Sequence, residues 1–171
     1  MPPQNVGKFF EFRARVSASS WNIDPDNGPG GIAAFGAPRR RSSGLEQVVE
    51  LGTLSVDSIQ AGGSAPRFFS IELDQERLKG RKKIQVYFDG ITSDGVTLMN
   101  DHESASSARN VGVQLLDLSG KVMRLGSEGC VEYPVLASGV SLSFAARLVS
   151  ASRPVVAGEF SALAECVIIY D

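Results

Sequence analysis

The sequence has few of the residues on which most enzyme and metal sites depend. Its 171 residues include two cysteines and a single histidine, His102, which lies in the polar stretch Asn100-Asp101-His102-Glu103-Ser104. A catalytic triad needs a base beside an activated nucleophile, and the sequence contains no G-x-S-x-G element. We interpret His102 as a solvated loop residue, and we predict a protein that is not an enzyme and binds no cofactor or metal.

Basic excess and long apolar runs are also lacking. The formal net charge is −2 and the isoelectric point is about 5.5, which argues against a nucleic-acid partner. No apolar run approaches the roughly 18 to 20 residues that a membrane helix requires. The start, Met1-Pro2-Pro3-Gln4-Asn5, lacks the apolar core of a signal peptide. We expect either a cytosolic protein or a form whose leader has been removed.

Residues 24–44 are rich in glycine, proline and serine and predict a long exposed loop. Asp24-Pro25-Asp26-Asn27-Gly28 is similar to the start of a calcium loop, but Gly28 and Phe35 occupy positions at which an EF-hand needs oxygen ligands, so a turn is the better interpretation. Arg39, Arg40 and Arg41 are interpreted as solvated charge, with an anionic partner as the alternative. Trp21 is interpreted as a core residue, with sugar stacking as the alternative.

Short runs of Val, Ile, Phe and Leu, separated by glycine and serine, predict an all-β sandwich or barrel. The best helical candidate, residues 74–81, is one short polar turn. We predict strands over residues 7–18, 47–54, 67–73, 83–88, 111–116, 121–125, 140–150 and 159–170.

The two ends of the chain carry the most informative strands. In the first, apolar residues recur with a period of two, which indicates a half-buried strand; Glu11, Arg13, Arg15 and Ser17 fall on its opposite face. In the last, residues 162–171 are apolar on both faces, so we expect a central strand covered on both sides. If the fold is immunoglobulin-like, no residues follow to form the next strand, and an open apolar groove would take its place.

The sequence resembles the pilin subunits of chaperone–usher fimbriae, the type 1 and P pilus class. Four groups of segments in the same order carry the resemblance, which ends on a C-terminal tyrosine. They are Val48-Val49-Glu50-Leu51-Gly52 with Phe69-Ser70-Ile71-Glu72-Leu73; Ile84-Gln85-Val86-Tyr87-Phe88-Asp89-Gly90; residues 108–117 followed by Gly120; and Phe144-Ala145-Ala146-Arg147 with Ala157-Gly158-Glu159-Phe160 and Ile168-Ile169-Tyr170.

The resemblance implies an incomplete immunoglobulin-like β-sandwich that lacks its final strand and receives the N-terminal donor strand of a neighbouring subunit. Residues 1–18 would form that donor extension, and residues 19–171 the pilin domain with the 24–44 loop as an insertion. The donor face would carry Val6, Lys8, Phe10, Phe12, Ala14 and Val16. One groove wall, also used by a chaperone, would carry Leu163, Glu165, Val167, Ile169, Tyr170 and Asp171.

The cysteines depart from the pattern of that family. Its usual disulfide positions correspond to Trp21 and Glu76 in this sequence. Cys130 and Cys166 permit one replacement disulfide, which we favour, and two buried free thiols are the alternative. A glycine is expected midway along the donor strand, where Gly7 and Lys8 lie, and a lysine inside the groove is costly unless its head reaches solvent.

The function predicted from the sequence is that of a structural fimbrial subunit that polymerises by donor-strand exchange and supports adhesion. The implied partners are further subunits, a periplasmic chaperone, an outer-membrane usher and, as a further candidate, a host receptor. The implied location is a fimbrium on the bacterial surface, reached through the periplasm. The alternatives are a tip adhesin-type binding module and a pilus-terminating subunit. The strand of residues 7–18 has its own alternative, which is to pair within its own chain as an ordinary edge strand.

Overall fold

The computed structural model describes residues 4–18, 45–101, 104–137 and 139–171. The predictions for Trp21, for the loop of residues 24–44 with its three arginines, and for His102 lie outside these residues. Within the described part of the chain, no helix is long and apolar enough to cross a membrane.

Nine strands form two sheets, as the period-two patterns predicted. One sheet has five strands in the order β2-β1-β9-β4-β7, and the other has four in the order β3-β8-β6-β5. The strands are β1 Gln4–Ser17, β2 Leu45–Ser55, β3 Arg67–Ile71, β4 Lys83–Gly90, β5 Thr97–Leu98, β6 Val111–Leu116, β7 Val131–Pro134, β8 Leu142–Ser150 and β9 Gly158–Tyr170.

In the described ranges, two short helices and a 3-10 turn connect the strands. They are α1 Val56–Gly62, α2 Gln75–Leu78 and the turn Ser127–Gly129. The short polar turn predicted over residues 74–81 contains α2. Helix α1 was not predicted, because it buries only Ile59 and so shows no apolar stripe. Ser55 caps α1 by accepting a hydrogen bond from the backbone N–H of Ser58 at 3.0 Å.

An aromatic cluster joins the two sheets at the centre of the core. Neighbouring rings lie with centroids 5.2 to 6.5 Å apart, in tilted or edge-to-face pairs, the arrangement that aromatic side chains prefer. Its members are Phe10 and Phe12 on β1, Phe88 on β4, Phe69 on β3 and Phe144 on β8. Because the first sheet contributes three of these rings and the second two, β1 is part of the core that holds the sandwich together.

Three details of the strand prediction were wrong. Residues 121–125 form no strand and make one bridge, between Leu116 and Val122. Two short strands, β5 and β7, were missed; β7 is largely exposed and shows no apolar alternation. The last strand, β9, is central as predicted, between β1 and β4. Only one of its faces is fully buried, however, and the other is half-exposed.

The chain fills the place beside β9 with its own first strand. β1 runs antiparallel to β9 and parallel to β2, so the open groove expected beside the last strand is occupied in the described chain. The alternative that this strand pairs within its own chain is what the structure shows, but its predicted edge position is wrong, because β1 has a hydrogen-bonded neighbour on each side. Backbone groups of a strand this apolar need partners on both sides once they are buried.

Candidate assembly interface: the β1 strand and its groove

β1 occupies the space between β2 and β9, which we call the groove. On the β9 side, pairing is unbroken from Gln4 opposite Tyr170 to Val16 opposite Gly158. On the β2 side, the parallel pairing runs from Phe9 opposite Leu45 to Ser17 opposite Ser55, with two irregularities. The strand is therefore held by two ladders, of which the one with β9 is the longer and more regular.

The inward face of β1 fills the groove with apolar side chains. Phe10 and Phe12 are completely buried, and Ala14 and Val16 are 1% and 2% exposed. Val6 is partly buried and packs against the same core. Fully burying a side chain such as phenylalanine or valine stabilises the folded state by about 1.5 to 3 kcal/mol. This face therefore accounts for a large share of the stabilisation that would be lost if β1 left the groove.

Lys8 interrupts the apolar face, as the sequence showed, and the structure gives its head a partner. Its Nζ lies 3.4 Å from Oε2 of Glu46 on β2, with 18% of the Lys8 side chain exposed. The aliphatic stem lines the groove opposite Cys166 while the ammonium reaches a half-exposed carboxylate. A lysine is thus accommodated near the open end of the groove.

Gly7 has a steric role at the same end. It pairs with Val167 of β9, and a Cβ at this position would overlap the carboxylate of Glu165. The missing side chain leaves room for the end of Glu165 on the outer face of the sheet. Since Glu165 ends a flexible side chain, a substitution at Gly7 would displace it without requiring the backbone to move.

The outer face of β1 carries a polar cluster that sequence reasoning missed. Glu11 and Arg13 were placed on the opposite face from the core, yet they are only 8% and 6% exposed. Arg13 donates to both carboxylate oxygens of Glu11, at 3.0 Å from Nε and 3.3 Å from Nη2. Ser161 of β9 donates its hydroxyl to Glu11 Oε2 at 2.8 Å. The available signal was the Glu-x-Arg spacing, which puts opposite charges on one face of a strand.

β2 contributes a second carboxylate to this cluster. Glu50 Oε1 lies 3.7 Å from Arg13 Nη1, and 38% of the Glu50 side chain is exposed. Burial raises the pKa of Glu50, while Arg13 lowers it and the neighbouring Glu11 carboxylate raises it further. Two carboxylates therefore share one guanidinium, and Glu11 holds the shorter contacts.

The residues predicted for the groove wall fall into two groups. Leu163, Glu165, Val167 and Ile169 lie on the half-exposed outer face of β9. The side chains of β9 that line the groove interior are instead the alternate set, which is 0% to 1% exposed: Ala162, Ala164, Cys166, Ile168 and Tyr170. Of the predicted set, only Tyr170 thus points into the core.

The C-terminal pair, Tyr170 and Asp171, is anchored at the end of β9. The hydroxyl of Tyr170 accepts a hydrogen bond from the backbone N–H of Asp74 at 3.2 Å. The Asp171 carbonyl accepts from the backbone N–H groups of Lys82 and Lys83, each at 3.2 Å, and its side chain lies 3.8 Å from Lys83 Nζ. The last strand is therefore fixed at its end as well as along its length.

The favoured disulfide is not present, because both cysteines are free thiols. Cys166 lies on β9 and Cys130 just before β7, and β4 runs between those strands. Two strand spacings are about 9 to 10 Å, which exceeds the roughly 7 Å limit between the α-carbons of a disulfide. The alternative of two buried thiols is half correct: Cys166 is buried and Cys130 is exposed. Burial raises the pKa of the Cys166 thiol to about 12.

Comparisons with known proteins identify the family. The model of the fimbrial protein family matches residues 41–171. The chain belongs to this family. It is 33% identical over 131 residues to the Fimbria A protein of Serratia marcescens, a match that covers 74% of this chain and 72% of that protein.

A solved structure of a Burkholderia pseudomallei antigen and type I fimbria protein has the same fold. Its TM-score is 0.64 at 19% identity, with 96% of this chain and 99% of that one covered. Membership confirms the predicted fimbrial resemblance and makes the chain a structural, non-enzymatic pilus subunit that associates with other subunits in a surface fimbrium. In the described part of the chain, no group of three or more His, Cys, Asp or Glu residues could hold a metal ion.

Proposed function

We propose that this fimbrial subunit polymerises by donor-strand exchange, in which β1 of one copy fills the groove of the next. The observation that carries the proposal is the position of β1. It is a central strand whose inward face is buried from Phe10 to Val16, and it pairs with the last strand of the chain from Gln4 to Val16. A second copy of β1 would make the same backbone ladder and fill the same places.

The chain connection allows both arrangements. Residues 18–44 join β1 to β2. Parallel neighbours such as β1 and β2 need a crossover of a dozen or more residues, and residues 18–44 are enough for β1 to return to its own groove. The same length lets β1 extend to a neighbour.

The pairing would be head to tail. Because the strand is given at one place and received at another, repeated exchange builds an open filament and not a closed ring. The range of the family match supports this division, since residues 41–171 contain the groove and exclude β1. We extend the proposal to a periplasmic chaperone that covers the groove before assembly, an outer-membrane usher that directs exchange, and a role of the fibre in adhesion.

The test uses two full-length chains, each with one reactive cysteine and both with Cys130→Ser. One carries Asn5→Cys and the other Ile169→Cys, because these residues are directly opposite across β1 and β9. The chains are mixed under assembling conditions and oxidised. Donor-strand exchange predicts disulfide-linked dimers between the two chains, since within one chain each cysteine lacks its partner. The thiol of Cys166 should stay unreactive while it is buried.

A matched control replaces Ile169→Cys with Leu118→Cys, which is 67% exposed and lies outside the groove. This mixture should give only background cross-linking. Assemblies that form without Asn5→Cys to Ile169→Cys dimers would show that β1 stays in its own chain and that the subunits join by another surface.

A further inference from the structure

The register of β1 in the groove is only partly determined by its apolar face. A slip by one residue turns that face outward and is strongly opposed. A slip by two residues keeps the face inward, so its cost depends on which side chains exchange places. The two directions of slip differ in this respect.

In one direction, each residue of β1 takes the place of the residue two positions later in the chain. The inward face itself opposes this slip. Glu11 would move opposite Ser161, and Lys8 would move opposite Ala164, the place of the fully buried Phe10. Burying an ammonium without a partner is very costly. Glu11 would also take the position beside Glu50, where it would place two carboxylates side by side.

In the other direction, each residue of β1 takes the place of the residue two positions earlier in the chain. The inward face tolerates this slip better, and we call it the permissive slip. Phe12 would take the place of Phe10, and Lys8 would move to the partly buried place of Val6. Here the outer face supplies the opposition. Glu11 would lose Ser161 and come directly opposite Glu165 of β9, and like charges directly opposite each other destabilise a strand pair.

We propose that Glu11 and Arg13 fix the register of β1 through their contacts with the neighbouring strands, and that these contacts select donor strands with an acidic and a basic residue at these two positions, which a second copy of this chain supplies. Their mutual pair lies within β1 and moves with the strand, so the contacts that depend on the register are those of Glu11 with Ser161 and of Arg13 with Glu50. Glu11 meets a carboxylate of Glu50 or Glu165 in either slipped register. Buried polar groups are best known for this kind of role in specifying register. The selection of donor strands rests on the proposed exchange; the register does not.

The register can be read within single full-length chains by cross-strand disulfides, in a Cys130→Ser background. Asn5→Cys with Ile169→Cys reports the observed register, and Asn5→Cys with Asp171→Cys reports the permissive slip. Residues directly opposite have Cβ atoms about 5 Å apart, and diagonal neighbours are about 7 to 8 Å apart, which a disulfide does not bridge without movement of the backbone.

Glu11→Lys is the decisive variant. In the observed register it loses the hydrogen bond from Ser161, and in the slipped one it replaces the repulsion from Glu165 with an attractive pair. We expect the ratio of slipped to observed cross-links to rise by roughly tenfold, since a like-charge pair directly opposite across the ladder becomes an opposite-charge pair in the slipped register. Glu128→Lys is the matched control, because it makes the same change of charge at a side chain that is 74% exposed and lies outside the groove. It should leave the ratio unchanged.

Glu11→Gln decides the matter if Glu11→Lys does not fold. It removes the repulsion from Glu165 while keeping a hydrogen-bonding side chain, and should raise the same ratio to a smaller extent. The inference is overturned if the folded variants, including Glu11→Gln, keep the wild-type ratio, or if Glu128→Lys shifts it as much as Glu11→Lys.

The same cross-links separate this inference from the proposed function. A register shift within single chains, without any cross-link between chains, would leave the register role intact and remove donor-strand exchange. Cross-links between chains at Asn5→Cys and Ile169→Cys, with a register that Glu11→Lys does not alter, would leave exchange intact and remove the register role. In mixtures that do exchange, a Glu11→Lys chain should be the poorer donor to a wild-type groove.

Discussion

Phe10 marks the centre of the interface at the scale of single residues. Its ring lies 5.7 Å from that of Phe69 and 6.5 Å from that of Phe88, so it contacts both sheets at once. We expect Phe10→Ala to reduce the free energy of unfolding by about 3 to 5 kcal/mol, because it removes transfer energy and leaves a cavity. Urea denaturation measures the loss.

Phe9→Ala is the matched control for that prediction. Phe9 is the same residue type on the same strand, but it faces the half-exposed outer side. It should cost less than half as much. Equal losses for the two variants would mean that the inward face of β1 does not carry the energy assigned to it.

Asp94 makes a local pH-dependent contribution in the turn between β4 and β5. Its carboxylate accepts hydrogen bonds from the backbone N–H of Val96 at 2.9 Å, and from the backbone N–H and hydroxyl of Thr97 at 2.7 and 2.9 Å. Burial acts to raise the pKa of Asp94, but these hydrogen bonds outweigh it and hold the pKa below its ordinary value of 3.8. The ionised form therefore stabilises the folded state above that value.

The stabilisation should be lost as the pH falls through the lowered pKa of the folded state. We expect Asp94→Asn to cost about 1 kcal/mol or less at neutral pH, since the site is largely exposed. The difference from the wild type should shrink between about pH 5 and pH 2. Urea denaturation across that range measures it, with Glu72→Gln, an exposed carboxylate, as the control. A difference that stays constant with pH would contradict the assignment.

At the scale of elements, the connection between β1 and β2 controls whether a strand returns to its own chain. Ser17 lies opposite Ser55 and Phe9 opposite Leu45, so the connection must run back by eight residues, about 26 Å of strand. Deletion of residues 20–42 leaves residues 18, 19, 43 and 44, which reach only about 18 Å.

Such a chain should place β1 in a neighbour and form assemblies where the full-length chain remains monomeric, as shortened connections promote strand swapping. Size-exclusion chromatography with light scattering measures the result. The control replaces residues 20–42 with a Gly-Ser linker of the same length and should behave as the full-length chain does. A monomeric, folded deletion variant would show that β1 can be released without finding another groove.

The elements also show where sequence patterns were informative. The alternation in β1 correctly predicted that Phe10, Phe12, Ala14 and Val16 share one buried face, because a period of two records which side of a strand meets the core. Burial of Glu11 and Arg13 was not predictable in the same way, since a charged residue is usually placed in solvent until its partners are known. Those partners, Ser161 and Glu50, are distant in sequence.

The disulfide prediction failed for a related reason. Cysteine count gives a possible pair but not a distance, and only the strand order places β4 between Cys130 and Cys166. The sequence pattern also could not say which copy of the chain supplies β1. The same ladder and the same apolar contacts form in either case, so the residues specify which surfaces fit and not whether they are covalently connected.

For the whole molecule, the closed chain and the proposed exchanged polymer would share nearly all their contacts, so the barrier between them would matter more than their energy difference. β1 must release its ladder with β9 and expose the side chains of Phe10 and Phe12 before it can enter another groove. Opening of a central strand with a buried face has a free energy near that of global unfolding, in contrast to a frayed terminus.

Exchange between already folded chains should therefore be slow in native buffer. It should be faster by about a hundredfold or more when the chains are mixed at a urea concentration near the unfolding midpoint and then diluted. The reason is that unfolding rates rise steeply with denaturant. The Asn5→Cys and Ile169→Cys chains measure this through the rate at which linked dimers appear. Phe10→Ala in both chains should accelerate exchange in native buffer, whereas Phe9→Ala should change it less. Equal exchange rates with and without urea would mean that β1 leaves its groove without unfolding of the rest of the sandwich. A folded subunit could then donate its strand with no further factor.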